Sequence, residues 1–253
     1  MQHRLLPAAA LIAAILCVTP LAHAQQNQPP KGFTALFDGK TLDGWWGWGT
    51  KHYDEYMKLD PAAFKALQEQ SRIEIRKHWR VENGELVGYG KELFLTTNEF
   101  YEDFELLVEY KTGPTADSGI YLRGCPQVQI WDWTKEGGKW ELGADKGSGG
   151  LWNNKKGSKG KDPLVLADKP FGEWNSFRIT MIGDIVTVYL NDKLVVDHAR
   201  MHNFFLREDQ SQLFAEQEGP MPKRGPIQLQ TYGDEVRWRN VFIRKIGAGE
   251  AKK

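Results

Sequence analysis

The stretch Gln127-Val128-Gln129-Ile130-Trp131 alternates amide or aromatic side chains with aliphatic ones. Alternate side chains of a strand point to opposite faces of a sheet, so the two amides and the indole would share one face. Amides match the donors and acceptors of hydroxyl groups, and an aromatic ring covers the apolar C–H face of a pyranose. The pattern therefore predicts a concave sheet face that binds sugar. An internal polar network and an interface with a partner protein are the alternatives.

Other predicted strands sort in the same way into an apolar side and a second side. An ordinary solvated face would hold more Lys, Glu, Ser and Thr than this second side does. Its members are Tyr121, Arg123, Gln127, Gln129, Trp131, Trp133, Ser176, Arg178, Thr180, Gln228, Gln230 and Tyr232. We expect these residues to lie on one polar face, with Arg123, Gln129 and Gln230 within reach of a common ligand.

Short apolar runs separated by Gly, Pro, Asn and Asp indicate an antiparallel β-sandwich. Two hairpins are predicted, with turns at Asn83-Gly84 and Asn191-Asp192, because these residue types tolerate the positive φ of a tight turn. Asp60-Pro61, followed by helix formers up to Gln70, predicts an inserted helix with an N-cap and a first-turn proline. Further strands are predicted over residues 104–110, 119–122, 128–133, 174–182, 227–232 and 236–243.

Residues 135–169 are rich in Gly, Lys, Asp and Asn, and a loop of this length is either functional or disordered. Trp152 in its middle favours function, since a large aromatic residue is unusual in a disordered linker. The Gly-rich stretch from Trp45 to Trp48 is hard to build into a core, so we expect it to border the same cleft as Trp152. The predicted substrate-binding residues are Tyr121, Gln127, Gln129, Trp131, Trp152, Gln228 and Gln230.

The first residues resemble a cleavable signal peptide, with a basic start, an apolar run and Ala22-His23-Ala24 as a cleavage site. The run is too short to be preferred as a membrane span, and the residues before Cys17 do not fit lipoprotein processing. We therefore expect a periplasmic or secreted protein that begins at Gln25 and has no membrane attachment. The chain has 33 basic and 33 acidic residues, a balance that argues against nucleic acid as a partner.

The segment from Phe33 to Trp45 resembles the opening of the 3-keto-disaccharide hydrolase family. Further matches, in family order, are Trp79–Gly88, Asp103–Leu106, Asp117–Gly124, Gln127–Ile130, Gly172–Asn175, Gly225–Gln230 and Arg239–Ile243. The resemblance implies an all-β, concanavalin A-like jelly roll of two antiparallel sheets. The domains expected from it are a signal peptide at 1–24, a linker at 25–32, one jelly-roll domain at 33–246 and a disordered tail at 247–253.

The resemblance also implies cleavage of glycosides that carry a ketone at C3 of the sugar. Such a ketone acidifies the hydrogen at C2, so a base and an electrophile that holds the enolate would suffice for β-elimination, and later addition of water gives net hydrolysis. Arg123 is the candidate for holding the enolate, with a divalent cation as a further candidate whose ligands the sequence does not identify. The candidate bases are Asp132, Glu173 and Tyr232.

Many family members have Glu in place of Gln127, Asn in place of Asp117 and His in place of Tyr232. The last difference keeps a second hypothesis open, a carbohydrate-binding module without catalysis. A laminarinase-type glucanase is disfavoured, because no Glu-x-Asp-x-x-Glu segment places a carboxylate pair on one strand. A zinc site at His198 and His202 is disfavoured too, because that segment follows a strand and no third ligand is evident.

Overall fold

The structure, a computed structural model, describes residues 26–90, 93–206, 214, 219–247 and 249–250. The predicted signal peptide, Cys17 within it and Gln25 at the start of the predicted linker lie outside the described residues. Residues 248 and 251–253 of the predicted tail lie outside them as well. Within the described ranges, no helix is long and apolar enough to cross a membrane.

The described part of the chain is mostly β. Its strands are β1 (Thr34–Ala35), β2 (Trp45–Trp48), β3 (Trp79–Glu82), β4 (Glu85–Gly90), β5 (Phe94–Thr97), β6 (Phe104–Thr112), β7 (Asp117–Leu122), β8 (Cys125–Trp131), β9 (Asn175–Ile182), β10 (Ile185–Leu190), β11 (Lys193–Arg200), β12 (Gln228–Leu229) and β13 (Gly233–Lys245). The α-helices are α1 (Asp54–Met57) and α2 (Pro61–Ile75), and short 3-10 helices cover Trp140–Leu142, Ala144–Lys146 and Phe204–Leu206.

These strands form two antiparallel sheets. The larger has the order β11-β10-β9-β6-β13-β4-β3 with β1 also paired to β13, and the smaller has the order β2-β5-β12-β7-β8. One hydrophobic cluster lies between them and includes Val128 and Ile130 of the smaller sheet with Phe177 and Ile179 of the larger. The predicted two-sheet jelly roll is confirmed.

Both predicted hairpins are present. Asn83 and Gly84 have φ values of 51° and 77° between β3 and β4, and Asn191 and Asp192 have φ values of 50° and 63° between β10 and β11. Residues of these types adopt positive φ with little strain, which explains why the chain reverses at these points. The predicted strand at 227–232 is shorter than expected, because only Gln228–Leu229 is paired as β12.

The predicted helix is confirmed as α2, which is capped by the Asp60 side chain on the N–H groups of Ala62 and Ala63. It packs on the edge strand β2, where Gly47 N–H donates to Ser71 Oγ at 3.0 Å. A Cβ at Gly47 would lie 2.5 Å from Cγ2 of Ile75, so glycine is what permits this close approach.

The helix also explains why the prediction for the segment from Trp45 to Trp48 is wrong. Those residues form strand β2, with Trp45 in the core between the sheets. Trp46 and Trp48 lie on the other face and pack with Tyr56 of α1 and, through Trp46, with Phe64 of α2. The Gly-rich composition reflects space for a helix, and these indoles do not line the sugar-sized cleft described below.

The prediction that all polar strand positions share one face is also wrong. Phe177 and Ile179 of β9 enter the core as expected. However, β9 belongs to the larger sheet, so Ser176, Arg178 and Thr180 lie on that sheet's outer surface, on the far side of the sandwich. Alternation along a strand distinguishes inside from outside, but it does not say which of the two sheets the strand joins.

Candidate functional site

A pit lies in the outer face of the smaller sheet, centred on Gly119 of β7. Gly119 is in register with Gln129 of β8 on one side, and its carbonyl accepts from the N–H of Gln230 at 2.9 Å on the other. A Cβ at Gly119 would lie 2.6 Å from Oε1 of Gln127 and 3.0 Å from the carbonyl oxygen of Val128. The glycine therefore leaves a pit of one side chain, and the Gln127 amide lies in it.

The pit opens into a cavity of about 370 Å³. Its lining residues are Thr50, Asp117, Tyr121, Gln127, Gln129, Trp131, Lys139, Leu142, Trp152, Asn153, Phe204, Gln230 and Tyr232. The structure thus brings together six of the seven predicted binding residues and one of the four predicted catalytic residues, Tyr232. A cavity of this size, with aromatic walls and a few convergent polar groups, is typical of small-molecule sites.

The long loop supplies one wall of this cavity. Trp152 meets Trp131 edge to face with ring centroids 5.8 Å apart, and the two indole N–H groups donate to the carbonyls of Leu142 and Gly147. Lys161 lies behind Trp152, donates to its carbonyl and places its ammonium 5.0 Å from the ring centroid. The expectation that Trp152 borders the cleft is confirmed, and the rings are held by backbone contacts.

One ion pair lies within the cleft. Nζ of Lys139 is 2.7 Å from Oδ2 of Asp117, and Oδ1 of Asp117 accepts from Nε2 of Gln129 at 3.0 Å. Asp117 is the only carboxylate, and Lys139 the only ammonium, among the described residues that line the cavity. The pair can supply a proton acceptor beside an electrophile, which are the two functions that enolate chemistry requires.

The sequence-based predictions did not include Asp117 or Lys139 among the site residues. Asp117 has the same strand parity as Gly119 and Tyr121, so extending the strand by two residues would have found it. Lys139 is contributed by the long loop, where no periodicity relates a residue to the sheet. No sequence signal could have identified it.

Several buried amide oxygens on this face have no donor. Gln127 and Gln230 are only 5% and 6% exposed, and the side-chain oxygen Oε1 of each is buried without a hydrogen-bond donor. Gln228, two residues before Gln230, also has an unpaired Oε1, while its Nε2 donates to Oγ1 of Thr96 at 3.0 Å. Gln228 is the predicted binding residue that does not line the cavity. An unpaired buried acceptor is costly, so these atoms call for a donor from a ligand.

Arg123 is not on this face, and the prediction of a common polar face that includes it is wrong. Strand β7 ends at Leu122, and Arg123 and Gly124 form the turn to β8 with φ values of 53° and 76°. Its buried guanidinium donates to the carbonyls of Glu102 and Pro222 and to Oδ1 of Asp103 at 2.9 Å. Burial lowers the pKa of Arg123, and the nearby Asp103 opposes that shift. These contacts make it a structural residue.

Asp132 and Glu173 also lie outside the cleft, so neither fits the predicted role of base. Asp132 has the parity of Ile130, on the core side, and its carboxylate accepts from the N–H groups of Thr115 and Thr134, each at 2.8 Å. Burial favours a raised pKa for Asp132, but these hydrogen bonds outweigh it and lower the pKa. Glu173 is exposed in the turn before β9 of the larger sheet. Tyr232, at the rim and 46% exposed, remains in the cleft.

The two histidines considered for zinc have different surroundings. His202 is buried and its Nδ1 accepts from the N–H of Lys155, whereas His198 is exposed beside Asp197. No group of three or more His, Cys, Asp or Glu side chains suited to a metal ion occurs among the described residues.

A second cavity, of about 410 Å³, lies on the outer face of the larger sheet. Its apolar lining includes Leu107 and Phe242, and two of its three charged side chains, Glu109 and Arg178, are already engaged. Glu109 pairs with Arg239 at 2.6 Å, and the Arg178 guanidinium lies 4.1 Å from the ring centroid of Tyr189. None of the unpaired buried polar atoms of the described chain lies there. The cleft at Gly119 is therefore the better candidate for a ligand site.

Comparison with known proteins gives concordant matches. A family model described as the 3-keto-alpha-glucoside-1,2-lyase-like domain matches residues 32–244. A 3-keto-disaccharide hydrolase of Bacteroides thetaiotaomicron is 23% identical over 247 residues, which cover 85% of this chain and 79% of that protein.

Among solved structures, two proteins of Parabacteroides distasonis described as glycosyl hydrolases share the fold. One superimposes with a TM-score of 0.58 at 20% identity and covers 88% of this chain and 100% of its own. The other has a TM-score of 0.54 at 24% identity and covers 86% and 85%.

Proposed function

The chain belongs to the 3-keto-alpha-glucoside-1,2-lyase-like domain family, and on this basis we propose that it is an exported enzyme that cleaves 3-keto-glycosides. The family predicted from the sequence motifs is confirmed. The substrate, the mechanism and the export belong to the proposal. The observation that carries it is the cleft itself, whose described lining holds one carboxylate and one ammonium, paired with each other beside amides and indoles.

A conventional glycosidase uses two carboxylates that flank the scissile bond. Among the described residues that line the cleft, Asp117 is the only carboxylate. An enolate mechanism needs one base and one cationic group, and Asp117 and Lys139 provide both within 2.7 Å of each other. This difference favours chemistry at a ketone-activated sugar over direct hydrolysis through an oxocarbenium ion.

In the proposed reaction, the Asp117 carboxylate takes the proton from C2 of the 3-keto sugar. The C–H electron pair forms the C2=C3 double bond, and the negative charge moves to the C3 oxygen beside the Lys139 ammonium. The enolate then re-forms the ketone, a C1=C2 double bond forms and the C1–O bond breaks. The departing oxygen receives the proton from Asp117. Addition of water at C1, with a proton at C2, completes net hydrolysis.

A second base remains in the cleft. The Tyr232 hydroxyl lies at the rim, and as a phenolate it would be the stronger base of the two. We place Asp117 first because its carboxylate lies in the floor of the cleft beside the ammonium of Lys139.

A non-catalytic carbohydrate-binding protein is the second candidate. Both carboxylate oxygens of Asp117 are already engaged, one by Gln129 and the other by Lys139. A pair that stays closed would position the amides for binding and would take no proton from a ligand.

The deciding experiment compares 4-nitrophenyl 3-keto-glucoside with the unoxidised 4-nitrophenyl glucoside. We expect release of 4-nitrophenol from the keto form only, with exchange of the C2 hydrogen in deuterated solvent. Rapid hydrolysis of the unoxidised glucoside would contradict the mechanism. Binding of the keto form without release above the level of an Asp117→Asn control would favour the binding protein.

Export is tested separately. We expect the mature protein to be periplasmic or secreted and to begin at Gln25, which N-terminal sequencing of the exported protein would show. Full-length chain in the cytoplasm, or a chain acylated at Cys17, would contradict export by this signal.

A further inference from the structure

Three side chains in the floor of the cleft form a directional chain of hydrogen bonds, here called the amide relay: Asp117, Gln129 and Gln127. Oδ1 of Asp117 accepts from Nε2 of Gln129 at 3.0 Å. Oε1 of Gln129 in turn accepts from Nε2 of Gln127. Backbone carbonyl oxygens can only accept, so the direction of the chain is set by the acceptors that Nε2 of Gln129 faces.

The orientation of the central amide is fixed from several sides. Nε2 of Gln129 faces the carbonyl oxygens of Ser118 and Ile130, at 3.2 and 3.0 Å, as well as Asp117. Turning this amide over would place its oxygen against three acceptors, so its Oε1 must face Gln127. Gln127 then has to donate through Nε2, and its own Oε1 is left as an acceptor beside the Gly119 pit.

A second acceptor lies on the opposite side of the pit. Oε1 of Gln230 is buried without a donor, and Gln230 and Gln129 are on the two strands that flank Gly119. The Gln127 amide oxygen lies over Gly119, between these two strands, so the two acceptors are adjacent on the floor of the cleft. One pyranose ring lying over them supplies hydroxyl groups to both.

We propose that the amide relay makes the floor of the cleft an acceptor surface, so that the site selects a pyranoside by free hydroxyl groups that donate to Gln127 and Gln230. This inference rests on the proposed assignment of the cleft to sugar. A ketone oxygen accepts and does not donate, so it is excluded from the floor and is directed towards the ammonium of Lys139. The relay thus determines both the class of substrate and the orientation of the sugar ring in the cleft.

The test uses deoxyfluoro sugars, because fluorine retains the size and polarity of a hydroxyl group but cannot donate. The probes are methyl α-glucopyranoside and its four monofluoro analogues at C2, C3, C4 and C6, all unoxidised, with affinity measured by calorimetry. Loss of a donor to a buried acceptor should weaken binding about 10- to 100-fold at one or two ring positions.

Variants identify which acceptor each hydroxyl uses. In Gln127→Met or Gln230→Met, the hydroxyl and fluoro compounds should bind within about threefold of each other at the position concerned. Gln70→Met, on the exposed side of α2, removes an amide far from the cleft and should leave the discrimination unchanged. Equal affinity for all five sugars, or discrimination that survives both variants, would overturn the inference.

The relay itself is tested at Gln129, which orients the Gln127 amide but does not contact the sugar in this proposal. In Gln129→Met the Gln127 amide can turn over, so the discrimination should disappear although Gln127 is intact. Gln129→Leu removes the same acceptor and replaces Gln129→Met if that variant does not fold. Asp117→Asn retains an oxygen that can accept from Gln129, so it should keep the discrimination while turnover of the keto substrate is lost.

These outcomes separate the inference from the proposed function. The binding assay needs no turnover, so selectivity for hydroxyl donors would stand even if no 3-keto-glycoside were cleaved. Conversely, cleavage of the keto substrate with no preference for hydroxyl over fluorine would overturn the relay and leave the proposed function intact. Failure of the parent glucoside to bind at millimolar concentration would also overturn the inference.

Discussion

The two outer faces of the sandwich are both polar, but they satisfy their polar groups in different ways. On the larger sheet, Arg239 is directly opposite Glu109 across the strand pair β6–β13, and Arg244 is opposite Glu105. The corresponding ion pairs measure 2.6 and 2.8 Å. On the smaller sheet, Gly119 takes the place of a side chain between two glutamine-bearing strands, and buried amide oxygens are left without donors. The ion pairs of the larger sheet neutralise each other, whereas the smaller sheet keeps buried acceptors that a ligand would have to satisfy.

The pKa shifts of buried and paired groups agree with this difference. Hydrogen bonds from Arg237 to Glu85 and Glu235 raise the pKa of this arginine, so the charges of the larger sheet support each other. Beside the cleft, burial instead lowers the pKa of Lys161 to about 8, and among the described residues no carboxylate forms an ion pair with its ammonium. A polar face is therefore a candidate functional site when it contains hydrogen-bond donors or acceptors that have no partner, whatever its number of charged residues.

The largest expected effect comes from the ion pair of the cleft. Asp117→Asn and Lys139→Met should each reduce kcat on the 3-keto substrate by about 10²- to 10⁴-fold, because each removes one partner of the proton transfer. Steady-state kinetics with the nitrophenyl substrate measures the loss. Arg239→Met removes one partner of an ion pair of similar length on the other face and should leave kcat unchanged. An equal loss of kcat in Arg239→Met would mean that the pair of Asp117 and Lys139 affects turnover only by stabilising the fold.

The next effect distinguishes the buried indoles of β2 from those of the cleft wall. Trp46 is fully buried and its N–H donates to the Thr97 carbonyl, so Trp46→Ala should lower the free energy of unfolding by about 3–5 kcal/mol. Trp152→Ala should cost less stability and should weaken sugar binding about tenfold, since ring contacts of this kind contribute roughly 1 kcal/mol. Urea unfolding and calorimetric titration measure the two quantities. Unchanged sugar affinity in Trp152→Ala would remove this indole from the binding site.

A smaller effect is expected when the pit is filled. In Gly119→Ala the new Cβ would lie 2.6 Å from Oε1 of Gln127 and would displace that amide. Sugar affinity should therefore fall about 10- to 100-fold, while the ion pair of Asp117 and Lys139 stays in place. Gly113→Ala is the matched control, because nothing lies within 4 Å of its Cβ position. Affinities from calorimetry, with circular dichroism to verify folding, decide the outcome. Retained affinity in Gly119→Ala would show that the sugar lies elsewhere in the cleft.

Much of this site could be predicted from the sequence, because a strand has a period of two. Gln127, Gln129 and Trp131 were placed together by alternation, and the structure shows them in one cavity. Alternation failed for Arg123 because the strand ends one residue earlier and the chain turns there. Gly124, two residues before Pro126, is a turn signal in the sequence that could have prevented this error.

Other features could not be predicted because they depend on the tertiary arrangement. Arg178 was assigned to the sugar face, but its strand pairs into the opposite sheet, and pairing is not encoded in alternation. Lys139 reaches Asp117 from a loop, over a separation of 22 residues. Gly47 could be interpreted as a turn residue until helix α2 was seen to pack against it.

The smallest expected effect is a pH dependence at Lys161, where the cleft wall meets the interior. Burial lowers the pKa of Lys161 to about 8 from an ordinary 10.5, and nearby Lys146 adds to the shift while Asp162 opposes it. The unfolded chain therefore binds more protons than the folded chain between these two pH values. It follows that the contribution of Lys161 to the free energy of unfolding rises as pH increases through this window.

Comparison with Lys161→Met isolates this contribution, because all other titrating groups are common to both proteins. Between pH 7 and pH 10, wild type should gain about 1–2 kcal/mol of stability relative to Lys161→Met, measured by urea unfolding at each pH. Lys159→Met, at an exposed lysine of the same loop, should show no such change. The Lys161 ammonium also lies over the rings of Trp152 and Phe214, a contact that favours the charged form. If these rings compensated fully for burial, the free energy of unfolding would depend on pH in the same way in wild type and in Lys161→Met. In that case an ammonium beside aromatic rings would be as well stabilised as one paired with a carboxylate, and the contrast between the two regions would not apply to Lys161.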